Sequence, residues 1–346
     1  YVSRAMDGMM MKSTLCALLG CRYPVLQAGM GGVARADLVG AVTRAGGYGF
    51  LGMVRESPDL IRQQIEAVRN GTDRPFGVNL IPAATDPQLL DDELAACFDA
   101  GVHSICLFWD VYPDVIKRAK DHGCLVFHQV GTVEDARLAE QAGADVIIAQ
   151  GEEAGGHVHG TTSSLVLVPQ VVRAVSVPVV ATGGFASGRS LVAALALGAA
   201  GIHCGTAFLA TEESFAHAYH KERVVGARSE DTLRTDLFAI NWPVGASVRV
   251  IGNSLTAKAG TARFGHDPYL RKREPIALED DRPIYRYSTD SPLRNMRGEL
   301  EQLALFAGQV AGEIDDIPTA AVRIERIMAE AAGIVAALSG RFEEVE

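Results

Sequence analysis

Apolar residues in this chain fall into short unbroken runs separated by longer amphipathic stretches, and the alternation repeats eight times. The runs begin near Tyr23 (YPVLQAG), Tyr48 (YGFLGM), Phe76 (FGVNLI), His103 (HSICLF), Cys124 (CLVFHQ), Asp145 (DVIIAQ), Pro178 (PVVATG) and Gly201 (GIHCGT). Unbroken apolar runs predict strands buried on both faces, as in a parallel sheet. Between and after them a helical apolar period covers Asp37–Ala45, Pro58–Asn70, Gln88–Ala100, Tyr112–His122, Val133–Ala142, Leu165–Val175, Gly188–Leu197 and Glu213–Glu222. Glycines such as Gly46, Gly101, Gly123, Gly143 and Gly198 follow helices, where a left-handed residue stops the helix and turns the chain. Eight βα units without a reversal predict an α/β fold, a (β/α)8 TIM barrel. A doubly wound sheet would suit the Gly29-Met30-Gly31-Gly32 turn after the first run. It would also want an acid ending the second, where Gly52-Met53 stands.

The pattern changes beyond Glu222. Residues 261–297 are charged and rich in Pro and Tyr, and two closing helices are predicted over Gly298–Val310 and Pro318–Leu338. The expected organisation is a barrel from 12–222 with 298–340, and an insertion from 223–297 capping one mouth. Hydrophobic residues make up 48% of the 346 and charged residues 21%, so a large core is expected and a disordered chain is excluded. The net charge of −10, with no dominant basic cluster, argues against nucleic acid or an anionic membrane as partner. No run approaches the ~20 apolar residues of a membrane span. Six cysteines without a CxxC pair or zinc spacing read as reduced core thiols of a cytoplasmic protein. Tyr1–Gly8 lacks the apolar region of a signal peptide, and Met9–Met11 mark the expected natural start.

Barrel enzymes place their chemistry at the C-terminal strand ends. Those ends carry Gln27-Ala28-Gly29-Met30, Asn79, Trp109-Asp110, His128-Gln129, Gln150-Gly151, Thr182-Gly183-Gly184 and Gly205-Thr206. Amides and hydroxyls outnumber charges, no carboxylate/His set for a metal appears, and no Lys is placed for a Schiff base. Such a mouth suits a large polar heteroaromatic ligand. Gly183-Gly184 and Gly205-Thr206 end neighbouring strands, so their exposed N–H groups could cradle a phosphate, although glycine is also ordinary in tight turns. After the sixth run the glycine-rich segment QGEEAGGHVHG carries His157 at its expected tip, where an imidazole could move a proton or donate to an anion. The His157-x-His159 spacing admits a metal, but further ligands are missing. His217 and His220 read as a solvated helix face.

The segments QAGMGG, FGVNL, AQGEEAGGHVHG, ATGGFASGRSLVAALALGAAGIHCGTAFLATEES and FAGQVAGEIDDIP together resemble the nitronate monooxygenase family, from about Leu15 to Leu209 and again near Leu305. The resemblance implies an FMN-binding barrel. It places FMN contacts at Asn79, Gln150, Gly155, Gly184, His203, Cys204, Gly205 and Thr206, with Ala28, Gly29 and Met30 along the isoalloxazine and His157 as the active-site histidine. It departs from the family where Gly29 replaces a frequent Pro and His203 a frequent Gln, and in the added His159. The implied reaction oxidises alkyl nitronates, or nitroalkanes, with O2 to a carbonyl compound and nitrite. The partners are then a small-molecule substrate and O2, and a homodimer is compatible with this reading. The alternative on the same scaffold is an NAD(P)H-dependent FMN reductase acting on an enoyl thioester or a quinone. A non-catalytic flavin- or phosphate-binding protein is a third.

Overall fold

A computed structural model describes residues 13–340; the expected start at Met9–Met11 lies outside them. Nine strands are encountered first: β1 (Val25–Gln27), β2 (Tyr48–Gly52), β3 (Gly77–Leu80), β4 (Ser104–Phe108), β5 (Leu125–Val130), β6 (Val146–Gln150), β7 (Gly156–Val158), β8 (Val179–Thr182) and β9 (Gly201–Cys204). All but β7 pair in parallel, in the order β1-β2-β3-β4-β5-β6-β8-β9, and β9 returns to β1 to close a barrel. The eight unbroken apolar runs are these eight strands, and the fold is the (β/α)8 barrel.

Because side chains alternate along a strand, six of the eight barrel strands fill two cores, and β3 and β9 turn Gly77, Asn79, Gly201 and His203 inward instead. Leu26, Tyr48, Phe50, Cys106, Phe127, Ile148 and Val180 point inward and plug the barrel. Phe50 meets Tyr48 and Phe127 edge-on at 5.2 and 5.0 Å between ring centres, the arrangement aromatic quadrupoles prefer. Their neighbours Val25, Leu51, Val78, Ile105, Ile147, Ala181, Ile202 and Cys204 point outward into the helix layer. A plugged interior leaves ligand space only above the strand ends.

The helix Ala320–Ser339 packs across the seam of the barrel, against the helices Gly188–Ala196 and Ala36–Arg44. Its Glu330 carboxylate accepts a hydrogen bond from the Gly188 N–H at 2.8 Å. The helix predicted over Gly298–Val310 does not form. Extended backbone at 303–306 pairs instead with the strand 247–251, Ile251 N–H donating to the Leu305 carbonyl at 2.8 Å, so tertiary pairing overrides local propensity. The helix predicted over Glu213–Glu222 runs from Ala218 to Val225, preceded by a short turn at Thr206–Leu209.

Residues 223–297 contain five further strands: β10 (Thr232–Thr235), β11 (Ser247–Ile251), β12 (Pro275–Glu279), β13 (Arg282–Tyr285) and, reaching residue 298, β14 (Met296–Gly298). β10 and β11 extend into a three-stranded sheet with β7, and β12 pairs with β13 and β14 in another. The first of these sheets joins this segment to the barrel mouth.

Candidate active site

A cavity of about 510 Å³ opens above the strand ends. Ala28, Gly29, Met30, Asn79, Gln150, Gly155, His157, Gly183, Gly184, His203, Gly205 and Thr206 all line it. Cys204 does not. Strand alternation turns its thiol into the outer core, leaving only its backbone near the ligand space.

One side of the cavity is backbone. Gly183 and Gly184 adopt φ of +91° and +81°, a left-handed pair that favours glycine. A Cβ on Gly205 would project beside Ala28 Cβ and Met30 Sδ at 3.8 and 3.9 Å, into the cavity itself. The N–H groups of Gly183, Gly184, Gly205 and Thr206 make no hydrogen bond to the described residues. The helix at Gly188, by contrast, has its own partners: Ser187 and Ser190 cap each other and Glu330 takes the Gly188 N–H. The free donors therefore belong to the two turns. On the floor, His203 is buried edge-on to Phe50 at 5.9 Å. Both its ring nitrogens lack partners among the described residues, and burial pushes its pKa down to about 3, so it stays neutral. Gly29 is required for close approach, since a Cβ there would collide with Asn79 Cβ.

The other side is made of side chains. His157 was expected at a loop tip; instead it is the central residue of β7, with Val248 of β11 as its register partner. The Gln150 amide braces the same strand, donating to the His157 carbonyl at 2.9 Å and accepting from His159 N–H at 3.3 Å. Trp242 stacks on the His157 ring with centres 3.2 Å apart and planes 14° apart. Trp109 and Phe306 enclose it further. The Nε2 atom is buried without a partner. Burial first, and the nearby Arg55 charge second, hold the imidazole well below its ordinary pKa, so it is neutral at pH 7.

His159 turns away, its Nδ1 3.4 Å from Asp135 Oδ2 and its ring against Trp109. His220, expected on a solvated face, is fully buried, its Nε2 3.1 Å from the Phe306 carbonyl; a later segment covers it. Gly155 packs where a Cβ would collide with Gly308 N. That close approach brings the 306–308 segment to the cavity rim.

Sequence reasoning missed Arg55, Asn241, Trp242, Phe306 and Gly308, all of which line the cavity. One local signal was available: the chain has two tryptophans, and both meet His157.

A barrel mouth lined by free backbone donors and neutral imidazoles is the setting of a cofactor-dependent oxidoreductase. The family pattern of nitronate monooxygenases matches residues 12–330, and the chain belongs to that family, whose members are flavin-dependent oxidoreductases acting on small molecules. A Mycobacterium tuberculosis protein named (3aS,4S,5R,7aS)-5-hydroxy-7a-methyl-1-oxo-octahydro-1H-indene-4-carboxyl-CoA dehydrogenase is 33% identical, covering 93% of this chain and 97% of its own. The structure of FabK from Thermotoga maritima superposes with a TM-score of 0.82 at 33% identity, over 96% of this chain and all of that one. A nitroalkane oxidase from Streptomyces ansochromogenes does so at 0.77 and 31%, over 94% of this chain and all of that one. Among the described residues no helix is long and apolar enough to cross a membrane.

Proposed function

We propose that this enzyme uses FMN to oxidise alkyl nitronates with O2, giving a carbonyl compound and nitrite. The observation that carries the reading is His157: a neutral imidazole with an enclosed, unpartnered Nε2, facing the same cavity as the glycine cradle. The N–H groups of Gly183, Gly184, Gly205 and Thr206 would hold the FMN phosphate. Asn79, His203 and the Ala28-Gly29-Met30 backbone would hold the ring, with Gln150 and Gly155 shaping the adjoining wall. FMN supplies the electron-accepting chemistry when bound.

The protein's part is to bind, orient and protect. Neutral His157 can donate a hydrogen bond to the nitro oxygens or take the α-proton of a neutral nitroalkane. Its depressed pKa makes it a weak base, so the pre-formed nitronate is the preferred substrate. Trp242, Trp109 and Phe306 exclude water around it, which strengthens each polar contact that remains. The stoichiometry balances as two nitronates and one O2 to two carbonyl compounds and two nitrites.

By the same reading, residues 12–222 with 298–340 form the FMN barrel and 223–297 the cap over its mouth. The cysteines are all free thiols and five are buried, which supports a reducing, cytoplasmic setting. A second reading, redox chemistry on an acyl thioester, is favoured by the near full-length likeness to the carboxyl-CoA dehydrogenase. Anaerobic mixing separates the two. Bleaching of bound flavin by a nitronate without NADH supports nitronate oxidation, whereas bleaching only by NADH or NADPH overturns it. Acid-released cofactor should run as FMN rather than FAD.

A further inference from the structure

Two arginines line the cavity, Arg55 just after β2 and Arg282 in β13, and they differ in how their charge is met. Arg282 is answered twice, by Glu279 Oε2 and by Asp290 Oδ1, the latter at 3.0 Å. Arg55 has no carboxylate at ion-pair distance among the described residues; its Nη1 donates to the backbone carbonyl of Asn241. The acids around it are already engaged. Glu56 pairs with Arg35 at 2.7 Å. Glu279 and Asp290 both contact Arg282, and Asp290 acts on Arg55 only through space. Glu93 is fully buried, accepts from the Glu56 N–H at 3.0 Å, and burial pushes its pKa up to about 8, so it carries little charge at pH 7.

The backbone gives a second, independent observation. Among the described residues five non-glycines adopt positive φ, and three of them ring this mouth: Arg55 at +58°, Trp109 at +85° and Asn241 at +78°. Such conformations cost free energy and persist where the surroundings fix them for a purpose. Here they aim a guanidinium over the cavity beside His157 and the two tryptophans. A half-buried guanidinium that no carboxylate contacts, lining a ligand cavity, offers its free donors to an anionic ligand.

We infer that Arg55 is the substrate-recognition residue of this cavity, and that it binds a planar two-oxygen anion through its guanidinium fork. The inference deepens the nitronate reading and rests on it for the site, but the anion has two chemical sources: the nitronate group itself, or a carboxylate carried by the substrate. Both present two coplanar oxygens that the fork can grip in parallel. A lysine would keep the charge and lose the fork.

The test uses enzyme whose bound FMN has already been photoreduced, without O2, so that a nitronate can bind without reacting. It reads ligand binding by quenching of tryptophan fluorescence, since both tryptophans of the chain lie at the site. The probes are propane-2-nitronate, propanoate and neutral 2-nitropropane. In Arg55→Met, affinity for the anions should fall about tenfold or more, while 2-nitropropane binding and FMN content stay unchanged. Arg55→Lys should recover part of the loss. If the wild type binds propanoate but not the nitronate, with the same dependence on Arg55, the anion inference stands and the nitronate reading falls. Equal loss for all three probes, unchanged anion affinity in Arg55→Met, or no anion binding by the wild type would overturn the inference.

Discussion

The two sides of the cavity are built by opposite means. The glycine side, from β8 and β9, consists of backbone donors set by two local turns, and each turn is complete within four residues. The histidine side is assembled from distant parts: β7 is held by β11, the ring by Trp242, and the neighbouring cation by a strained turn after β2. A backbone cradle needs only permissive conformation and tolerates most sequence around it. A side-chain wall depends on several packed contacts at once, so its chemistry can be retuned by residues that never touch the ligand.

The largest expected effect lies on the side-chain wall. His157→Asn should leave FMN bound and lower turnover of a neutral nitroalkane by ~10²–10⁴ if the imidazole takes the proton. Turnover of the pre-formed nitronate should fall much less. Paired assays of the two substrates check this, with His159→Asn as the inert control; reversed sensitivities of the two histidines would move the role to His159.

Next comes Trp242→Ala, which removes a buried ring and should cost ~3–5 kcal/mol of stability, read from denaturant unfolding. It should also let water reach His157. Burial holds that pKa down, so relief raises it toward the ordinary value, and the acid limb of the pH–rate profile should move to higher pH. An unmoved limb would separate Trp242 from the electrostatics of the histidine.

On the backbone side Gly184→Val forces a β-branched residue into a left-handed conformation, costing ~1–2 kcal/mol. FMN affinity should fall by about tenfold, measured by flavin fluorescence on dialysis, with nitronate KM little changed once FMN saturates. If KM moves with FMN affinity, the two sides are not independent.

An effect on stability alone is expected at Glu93. Its carboxyl titrates near 8 in the folded chain against an ordinary value of 4.5. The folded state therefore holds the proton through that window while the unfolded state releases it, so stability falls as pH rises from about 5 to 8. Glu93→Gln should flatten this slope in melting curves taken across the same range, and an unchanged slope would assign it to another group.

What was legible in the sequence follows the same division. The barrel strands are unbroken apolar runs because parallel strands are buried on both faces, and that signal is local. The glycine turns could be read at their strand ends for the same reason. β7 could not: it is three residues long, begins with glycine, and exists because Arg249, Val248 and Ser247 pair with it from far along the chain. His220 seemed solvated because its own helix gives no sign of the Phe306 segment that covers it. The 298–310 stretch has helical composition, yet its backbone bonds distant partners: β12 at Gly298 and Glu299, Asn253 at Leu303, β11 at Leu305 and Thr206 at Gly308. Arg55 follows an ordinary strand, and its lack of a contacting carboxylate depends on Arg282 and Arg35 holding the surrounding acids.

The helix Ala320–Ser339, laid across the seam between the first and last barrel strands, sets an order of events during synthesis. β1 and β9 are both complete once residue 204 has left the ribosome, whereas the helix that packs across their joint comes much later in the chain. Gly188 then admits the helix so closely that a Cβ there would strike the backbone of Ala331, and the amide it exposes waits for Glu330. Until that latch arrives, a nascent barrel carries an apolar groove along its closing edge. That interval is when the chain is most exposed to aggregation, and chain released before the latch is made should be captured by chaperones.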